Sequence, residues 1–313
     1  MEVHHDIYQI KAIKNPVVTI GTFDGVHIGH QKIIQQLLDK AKEIDGESVL
    51  ITFYPHPRKI IDKTFQLDLI STKEEKEEKL KDLGLNHLIY IPFTKEFAEK
   101  SALDFLQDVL INSLHVHTLI VGYDHRFGNN REGDIHFLNQ YSPIFNYKVE
   151  EISAQVIEET KVSSSKIRTA LNEGKVELAA IYLNQHYKLT GKVVIGKQIG
   201  KTLGFPTANI LVSDSDKLIP KNGVYAVKIS LLSKNYFGML NIGFNPSVSE
   251  KNTQSIEVHL FDFNENIYGQ ELTLHFIQFI REEQKFSSLE ELKKQLSTDE
   301  KNCRTLFYSV SAK

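Results

Sequence analysis

The sequence has almost no sulfur chemistry, no tryptophan and no long apolar run. Its 313 residues include one cysteine, Cys303, and two methionines. A single thiol excludes an internal disulfide and a multi-thiolate metal site, and it is typical of a reducing compartment. No stretch approaches the roughly 18 apolar residues of a membrane span. The N-terminal residues have neither the basic nor the apolar region of a secretion signal, so we expect a cytoplasmic protein without membrane binding.

A strong charge of one sign is also lacking. The formal net charge is −3, with 25% charged and 41% hydrophobic residues. Proteins that bind nucleic acid usually carry excess positive charge, so we expect no nucleic-acid partner. The length allows two domains, each with its own core. None of these features indicates an oligomeric state.

Two kinds of pattern divide the chain. Up to about residue 186, strand-like runs alternate with helical patterns, which predicts a parallel sheet with crossover helices. From residue 187, short β-rich runs separated by Gly, Asn, Pro or Ser predict an antiparallel barrel or sandwich, closed by a helix over 287–297. We therefore predict an α/β domain over 1–186 and an all-β domain over 187–313. Predicted helices of the first domain include 27–44, 72–83, 103–112, 134–140 and 166–172, and its strands are 17–20, 48–54, 87–91, 118–122 and 147–152. The charged run 73–79 is interpreted as a solvated helix face with i,i+4 ion pairs.

The segment Gly21-Thr-Phe-Asp-Gly-Val-His-Ile-Gly-His30 lies where a predicted strand leads into a predicted helix. Open α/β sheets bind phosphorylated ligands at such junctions. Glycines allow close approach of the backbone, amides at a helix N-terminus attract anions, and imidazoles donate to phosphate oxygens. His27 and His30 are therefore candidates to stabilise charge on a nucleoside triphosphate during attack at its α-phosphate.

Two further segments favour the same chemistry. Ser163-Ser-Ser-Lys-Ile-Arg168 places hydroxyls, amides and cations before and within a predicted helix over 166–172, as in a phosphate clamp. Arg168 is the candidate for the departing pyrophosphate. The loop 121–128, which contains Asp124, follows another predicted strand and can add a polar group. Taken singly, each segment is also compatible with an ordinary cap or loop.

The second domain carries a glycine-rich loop that leads to Thr207 and Asn209. Gly200-Lys-Thr202 lacks the upstream glycine and the βαβ context of a phosphate-binding P-loop, so that interpretation is rejected. Thr207 and Asn209 offer oxygen atoms to a hard cation such as Mg²⁺. Strand alternation places Glu257 and His259 on one face, opposite Ile256, Val258 and Leu260. Glu257 is either the wet face of a half-buried strand or a general base for a substrate hydroxyl.

Together these segments resemble the bifunctional prokaryotic riboflavin kinase/FAD synthetase family over nearly the whole chain. The segments that carry the resemblance occur in the family's order; they are 21–30, 163–168, 204–209, 223–226, 241–243 and 257–262. The resemblance implies an α/β plus all-β architecture. A Rossmann-like nucleotidyltransferase domain of the His-x-Gly-His superfamily is followed by a six-stranded antiparallel flavokinase barrel and a C-terminal helix.

The resemblance also implies an activity and a set of site residues. ATP phosphorylates riboflavin to FMN, and a second ATP adenylylates FMN to FAD with release of pyrophosphate; Mg²⁺ is the implied cofactor, and the flavins and ATP are the small-molecule partners. Implied catalytic residues are Glu257, His27, His30 and Arg168. Implied nucleotide- and metal-binding residues are Gly21, Phe23, Asp24, Gly29, Asp124, Ser164, Ser165, Gly196, Lys201, Gly204, Thr207 and Asn209, of which Thr207 and Asn209 are the metal positions.

The sequence departs from the family pattern at two informative places. His125 stands where many relatives have an aromatic residue, and Asn245 replaces a more usual arginine. Phe53, Tyr54, Tyr123 and Phe127 are candidates only for flavin stacking. Two other functions stay open: a single-activity nucleotidyltransferase acting on another phosphorylated substrate, and a non-catalytic flavin-binding protein. Thr207, Asn209 and Glu257 argue against the first, and the phosphate clamp argues against the second.

Overall fold

A computed structural model describes residues 1–62, 64, 67–122, 125–152, 162–196, 199–244 and 254–311. The chain divides into two compact units, residues 1–164 and 165–313. The boundary at 186/187 that the sequence pattern predicts stays a prediction, and the segment 165–186 groups with the second unit. Within the described residues, no helix has the length and apolar character needed to cross a membrane.

The first unit is built on a six-stranded parallel sheet. Its strands are β1 (Glu2–His4), β2 (Val17–Ile20), β3 (Ser48–Tyr54), β4 (His87–Pro92), β5 (Thr118–Gly122) and β6 (Lys148–Ile152). They lie in the order β1-β4-β3-β2-β5-β6, and every pair is parallel. Strand β2 lies between β3 and β5, so the direction of winding reverses there, as at the ligand-binding crevice of an open α/β sheet.

Helices cover both faces of this sheet. Val18 packs into one buried cluster and Val17 into the other, because successive strand residues point to opposite faces. The helices are α1 (Ile28–Glu43), α2 (Pro57–Ile61), α3 (Lys73–Asp82), α4 (Lys95–Ala98), α5 (Ala102–Phe105) and α6 (Ile135–Phe145), with a π-helical segment, Leu106–Ser113, continuing α5 and short 3₁₀ turns at Ile7–Gln9 and Asn129–Arg131.

The second unit contains a closed six-stranded barrel. Its strands are β7 (Lys188–Val194), β8 (Ala208–Leu211), β9 (Gly223–Leu231), β10 (Lys234–Phe244), β11 (Gln254–Leu260) and β12 (Glu271–Arg281). They lie in the order β10-β11-β8-β7-β12-β9, and neighbours run antiparallel. The helices are α7 (Ser164–Asn172, which begins at the unit boundary), α8 (Val176–Leu183), α9 (Ile199–Leu203) and α10 (Leu289–Ser311). The predicted architecture, α/β followed by a barrel and a C-terminal helix, is confirmed.

Several element boundaries differ from the prediction. The sequence pattern does not predict strands β1 and β8 or helix α8, because each is short and lacks a long periodic pattern. The C-terminal helix runs to Ser311 instead of 297, with Ser288 Oγ accepting from the Glu291 amide in its first turn. Part of the predicted 103–112 helix is π-helical. Helix α7 begins at Ser164 instead of Lys166, so two of its serines lie inside the first turn.

Helix α1 gives a direct test of the first unit's core. Leu37 is fully buried on this helix, whereas Gln36 beside it is exposed. We expect Leu37→Ala to lower the free energy of unfolding by about 2–5 kcal/mol, because it leaves a cavity in a packed core. Gln36→Ala is the matched control and should change it by less than about 0.5 kcal/mol. Urea unfolding followed by circular dichroism measures both; equal effects would show that α1 does not pack as described.

Candidate active sites

A strained turn connects β2 to α1 in the first unit. Phe23, Gly25 and Val26 have positive φ angles of 46°, 82° and 41°. A Cβ on Gly25 would lie 2.8 Å from the Ile70 side chain, so both the backbone angle and the space require glycine there. The apolar side chains of Phe23 and Val26 are buried in the core below. The turn therefore has one well-defined conformation.

The buried carboxylate of Asp24 holds this turn in place. Asp24 is 2% exposed and accepts hydrogen bonds from the amides of Ile70 at 3.1 Å and Ser71 at 3.2 Å. Ser71 Oγ in turn accepts from the Gly25 amide at 3.0 Å. The side chain predicted to bind nucleotide thus has an architectural role, because it ties the turn to a segment 46 residues away.

The two histidines of the motif are stacked at the start of α1. His27 is the N-cap, and its Nδ1 accepts from the His30 amide at 3.3 Å. The two ring centroids lie 3.6 Å apart with an interplanar angle of 16°, and the Phe23 ring lies 4.5 Å from that of His30. Gly29 lies between the histidines in the first turn of the helix. The structure therefore brings His27 and His30 together at a helix N-terminus, a position that favours anions.

Burial keeps both imidazoles neutral. Desolvation lowers the pKa of His27 from 6.5 to about 4, although the nearby Asp24 carboxylate opposes the shift. Desolvation lowers the pKa of His30 well below 6.5, and the charges of His27 and Lys76 add to the effect. Within the described part of the chain, His30 Nδ1 is buried without a hydrogen-bond partner. Buried polar atoms without a partner are uncommon and often mark functional sites.

Lys76 on α3 is a site residue that the sequence pattern does not reveal. The run 73–79 is predicted to be a solvated face, and Lys73 and Glu77 do form the expected i,i+4 pair at 3.9 Å. Lys76, however, is partly buried, and its Nζ donates to the Thr22 carbonyl at 2.8 Å. Burial lowers its pKa to about 8, with the Asp24 carboxylate acting in the opposite direction. This cation therefore braces the strained turn.

The serine segment contacts the same turn through Ser164. Its Oγ donates to the Asp24 carbonyl at 3.0 Å. Ser165 is exposed and Arg168 is half-buried, one turn further along α7. Asp124 and Tyr123, the predicted polar and aromatic groups after β5, lie outside the described residues. Their roles stay predictions.

An aromatic cavity of about 470 Å³ lies at the carboxyl ends of β2 and β3 in the first unit. Gly21 and Thr22, which lead into the strained turn, form part of its wall. Ring centroids 5.5–6.0 Å apart connect its phenylalanines into one continuous cluster of Phe53, Phe93, Phe97, Phe105 and Phe127. The cationic side chains in its wall are Lys100, Arg126 and Arg131. Of the proposed stacking residues, Phe53 and Phe127 line this cavity, whereas Tyr54 is 54% exposed.

A second group of oxygen-bearing side chains lies on neighbouring strands of the barrel. Glu257 on β11 pairs with Asn209 on β8, and paired residues present their side chains to the same face. Thr207, just before β8, donates from Oγ1 to Glu257 Oε2 at 3.3 Å, across 50 residues of sequence. The structure thus brings together Thr207, Asn209 and Glu257. An all-oxygen set of hydroxyl, amide and carboxylate groups is what Mg²⁺ prefers.

The glycine-rich loop packs tightly on this group. A Cβ on Gly196 would collide with the Asn209 carboxamide, so only glycine leaves that side chain in place. Gly204 follows helix α9 and has a φ of +88°, as at a helix C-terminus. Lys201 lies within α9, and its side chain is outside the described residues. Its proposed nucleotide contact stays a prediction.

A cavity of about 280 Å³ opens beside these residues. Thr207, Glu257 and His259 line it, whereas Ile256 and Val258 do not, so the predicted alternation along β11 is confirmed. His259 Nδ1 is fixed by the Pro206 carbonyl at 2.7 Å. Asn241, from the motif 241–243, also lines the cavity and pairs directly with Glu257 across β10 and β11. Two further lining residues, Arg281 and Glu283, are ones that the sequence pattern does not single out.

Comparison with known proteins gives a consistent result for both units. Residues 9–166 match the protein family described as FAD synthetase, and residues 183–307 match the family described as riboflavin kinase. Relatives named bifunctional riboflavin kinase/FMN adenylyltransferase include one from Listeria monocytogenes, 37% identical, which covers 94% of this chain and 93% of its own. Another is from Bacillus subtilis, 36% identical, with coverage of 98% and 96%.

A solved structure extends the comparison to the fold. A Streptococcus pneumoniae protein described as a macrolide-efflux protein matches with a TM-score of 0.86 and 29% identity, covering 97% of this chain and 98% of its own. The sequence relatives span nearly the full length of both chains, and the family matches fall on both units. The chain therefore belongs to the bifunctional riboflavin kinase/FMN adenylyltransferase family.

Proposed function

We propose that the barrel phosphorylates riboflavin to FMN with one ATP, and that the first unit adenylylates FMN to FAD with a second ATP. The observation that carries the proposal is that one chain holds both polar sites. Stacked imidazoles, of which His27 is buried and His30 half-buried, lie at a helix start in the first unit, and an all-oxygen cluster around Glu257 lies in the second. Each site suits one of the two reactions, and neither reaction needs the residues of the other site. The flavins and ATP are the small-molecule partners of both reactions.

In the adenylylation, a phosphate oxygen of FMN attacks the α-phosphorus of ATP. The new P–O bond forms as the bond to the β-phosphate oxygen breaks, and pyrophosphate leaves. His27 and His30 donate hydrogen bonds to the phosphoryl oxygens, where negative charge increases in the transition state. Their neutrality supports this role, because a neutral imidazole donates without first binding the phosphate as an ion pair. Arg168 is assigned to the departing pyrophosphate, and Ser164 and Ser165 to phosphate binding.

The aromatic cavity is the proposed site for the flavin ring. Its volume falls in the range of ligand pockets, and its phenylalanine edges and faces suit a flat heteroaromatic ring. Arg131 supplies positive charge in its wall for a phosphorylated ligand, whereas the Lys100 and Arg126 side chains in the same wall form ion pairs with Asp108 and Asp134. Gly21 joins this cavity to the histidine turn, which would bring the two reacting groups to one end of the sheet.

In the kinase reaction, the riboflavin 5′-hydroxyl attacks the γ-phosphorus of ATP, and ADP leaves. Glu257 accepts the hydroxyl proton as general base. Thr207 and Asn209 are the residues that would hold Mg²⁺, and the donor set they form with Glu257 fits that ion. When bound, Mg²⁺ neutralises charge on the ATP phosphates. The direct bond between Thr207 and Glu257 holds the carboxylate on the wall of the cavity.

We also place the enzyme in the cytoplasm. Both reactions consume ATP, and the single cysteine, Cys303, is a buried free thiol that needs no oxidising compartment.

Chromatography of the products tests the proposed function. Pure protein incubated with riboflavin and Mg-ATP should yield FMN first and then FAD. A single-activity nucleotidyltransferase acting on another substrate would yield neither. A flavin-binding protein without catalysis would bind the flavin and give no turnover at high protein concentration. Either of these two results would overturn the proposal.

Single substitutions should separate the two activities. We expect His30→Ala to reduce FAD formation from FMN about 10²–10³-fold, the loss typical of removing a donor to a transition-state oxyanion, while FMN formation stays within about twofold. Arg168→Ala should act in the same direction.

Glu257→Gln should reduce FMN formation about 10²–10⁴-fold, the contribution of a general base, while FAD formation from supplied FMN is preserved. Steady-state rates with each flavin measure this, and loss of both activities in a folded His30→Ala protein would contradict two independent sites.

The neutral state of His27 predicts an effect on stability. Its pKa is lowered to about 4 in the folded protein, from 6.5, so between these pH values the unfolded chain binds the extra proton. Folding therefore loses stability as the pH falls through this window. His27→Gln removes the group, and we expect its free energy of unfolding to decline less steeply from pH 6.5 to about 4 than that of the wild type. Urea unfolding at several pH values measures the slope, with Gln36→Ala as a control that changes no titratable group. Equal slopes for His27→Gln and the wild type would show that His27 is not held neutral.

A further inference from the structure

Two histidines and a carboxylate meet at the edge of the parallel sheet. Strand β1 pairs with β4 so that Glu2 lies opposite His87. His4 follows Glu2 by two residues, and strand alternation places both side chains on the same face. The sheet topology therefore brings three potential metal ligands together from two neighbouring strands. Of these, His4 and His87 are 83 residues apart in the sequence. The mechanism proposed above uses none of them.

The distances in this cluster suit a metal ion. His4 Nε2 and His87 Nδ1 are 3.1 Å apart, and His4 Nε2 lies 3.9 Å from Glu2 Oε2. All three ligand atoms lie within 4.8 Å of one another. Zinc–nitrogen bonds are about 2.0–2.1 Å long. A zinc ion bound to both nitrogens at their present separation would therefore have an N–Zn–N angle of roughly 100°, near the tetrahedral value. Glu2 is largely exposed, so its side chain can move to complete the set.

A second carboxylate lies behind His87. His87 is 7% exposed, and its Nε2, which is buried without a hydrogen-bond partner among the described residues, lies 3.5 Å from Glu47 Oε1. Metal-binding histidines usually direct their other ring nitrogen to a carboxylate, which fixes the tautomer and the ring orientation. A metal at Nδ1 would leave the proton of His87 on Nε2, facing Glu47. The 3.1 Å contact between the two histidine nitrogens is a hydrogen bond, and a metal ion would take the place of its shared proton.

We propose that Glu2, His4 and His87 bind a borderline divalent transition-metal ion such as Zn²⁺, with water as the fourth ligand. Two imidazoles and one carboxylate form a donor set that zinc accepts readily, whereas Mg²⁺ and Ca²⁺ prefer oxygen alone. The ion would fasten the short edge strand β1 to β4. Such a clamp stabilises the first unit and keeps β1 paired to β4, whose edge would otherwise be open to pairing with another chain.

Titration calorimetry with ZnCl₂ on full-length, tag-free, chelator-treated protein tests the proposal. The wild type should bind one zinc ion that His4→Ala does not bind. His5→Ala is the matched control, because His5 is the exposed next residue along the chain and is not part of the cluster, and it should bind zinc as the wild type does. Glu47→Gln should weaken zinc binding about 10–100-fold, because it removes the carboxylate behind His87.

Loaded with Co²⁺ instead of zinc, the wild type and His5→Ala should show the intense visible absorption of a tetrahedral site, which His4→Ala should lack.

Folding controls keep the result interpretable. All variants should retain both flavin activities, since none of these residues belongs to the two sites, and failure of the proposed flavin chemistry would leave the zinc measurement unaffected. Zinc should raise the thermal unfolding midpoint of the wild type and His5→Ala but not that of His4→Ala. Absence of zinc binding to the wild type, or equal stoichiometry in the wild type and a folded His4→Ala, would overturn the proposal.

Discussion

The first site depends on a single buried carboxylate. The Asp24 carboxylate accepts hydrogen bonds from the amides of Ile70 and Ser71. These bonds hold a turn that has positive φ angles, buried apolar side chains and close packing on Ile70. A buried charge is costly unless it is fully hydrogen-bonded, so the turn and the segment that donates to it stabilise each other. With the turn fixed, His27 caps α1 and His30 stacks on it. The geometry of the proposed phosphate site thus rests on a residue that need not contact the ligand.

The second site uses a different physical principle. Its groups come from strands of a closed barrel, where register alone fixes which side chains are neighbours. Asn209, Glu257 and Asn241 form one row across β8, β11 and β10. The bond from Thr207 to Glu257 and the close approach of Gly196 to Asn209 restrict the remaining freedom of these side chains. A rigid barrel wall is well suited to hold the proposed general base, Glu257, beside the proposed metal-binding amide of Asn209, because catalytic groups need fixed positions.

Much of this organisation follows from the sequence. Helix α1 and strand β3 lie within one or two residues of their predicted bounds, because strong local periodicity determines both. Sequence motifs also identify the strand-to-helix turn that contains His27 and His30, and the barrel residues Thr207, Asn209 and Glu257. Contacts between distant segments do not: the charge pattern places Lys76 on a solvated face, yet Lys76 braces Thr22, 54 residues earlier. The sequence does hold a sign of this contact, since Lys76 lies one turn before Leu80, the buried residue of that otherwise charged helix.

Strand β8 is not predicted because four residues after a glycine-rich loop carry too little pattern. The aromatic cavity is not predicted because its rings come from separate elements.

The central claim is that one chain carries two complete and separable sites. A complementation assay tests it most directly: His30→Ala and Glu257→Gln are mixed with riboflavin and Mg-ATP, and FAD is followed by chromatography. Two independent sites predict that neither variant alone makes FAD at an appreciable rate, whereas the mixture does, because FMN made by one variant is adenylylated by the other. If the folded variants yield no FAD when mixed, while the wild type does, the two reactions do not occur at separate sites and the account is wrong.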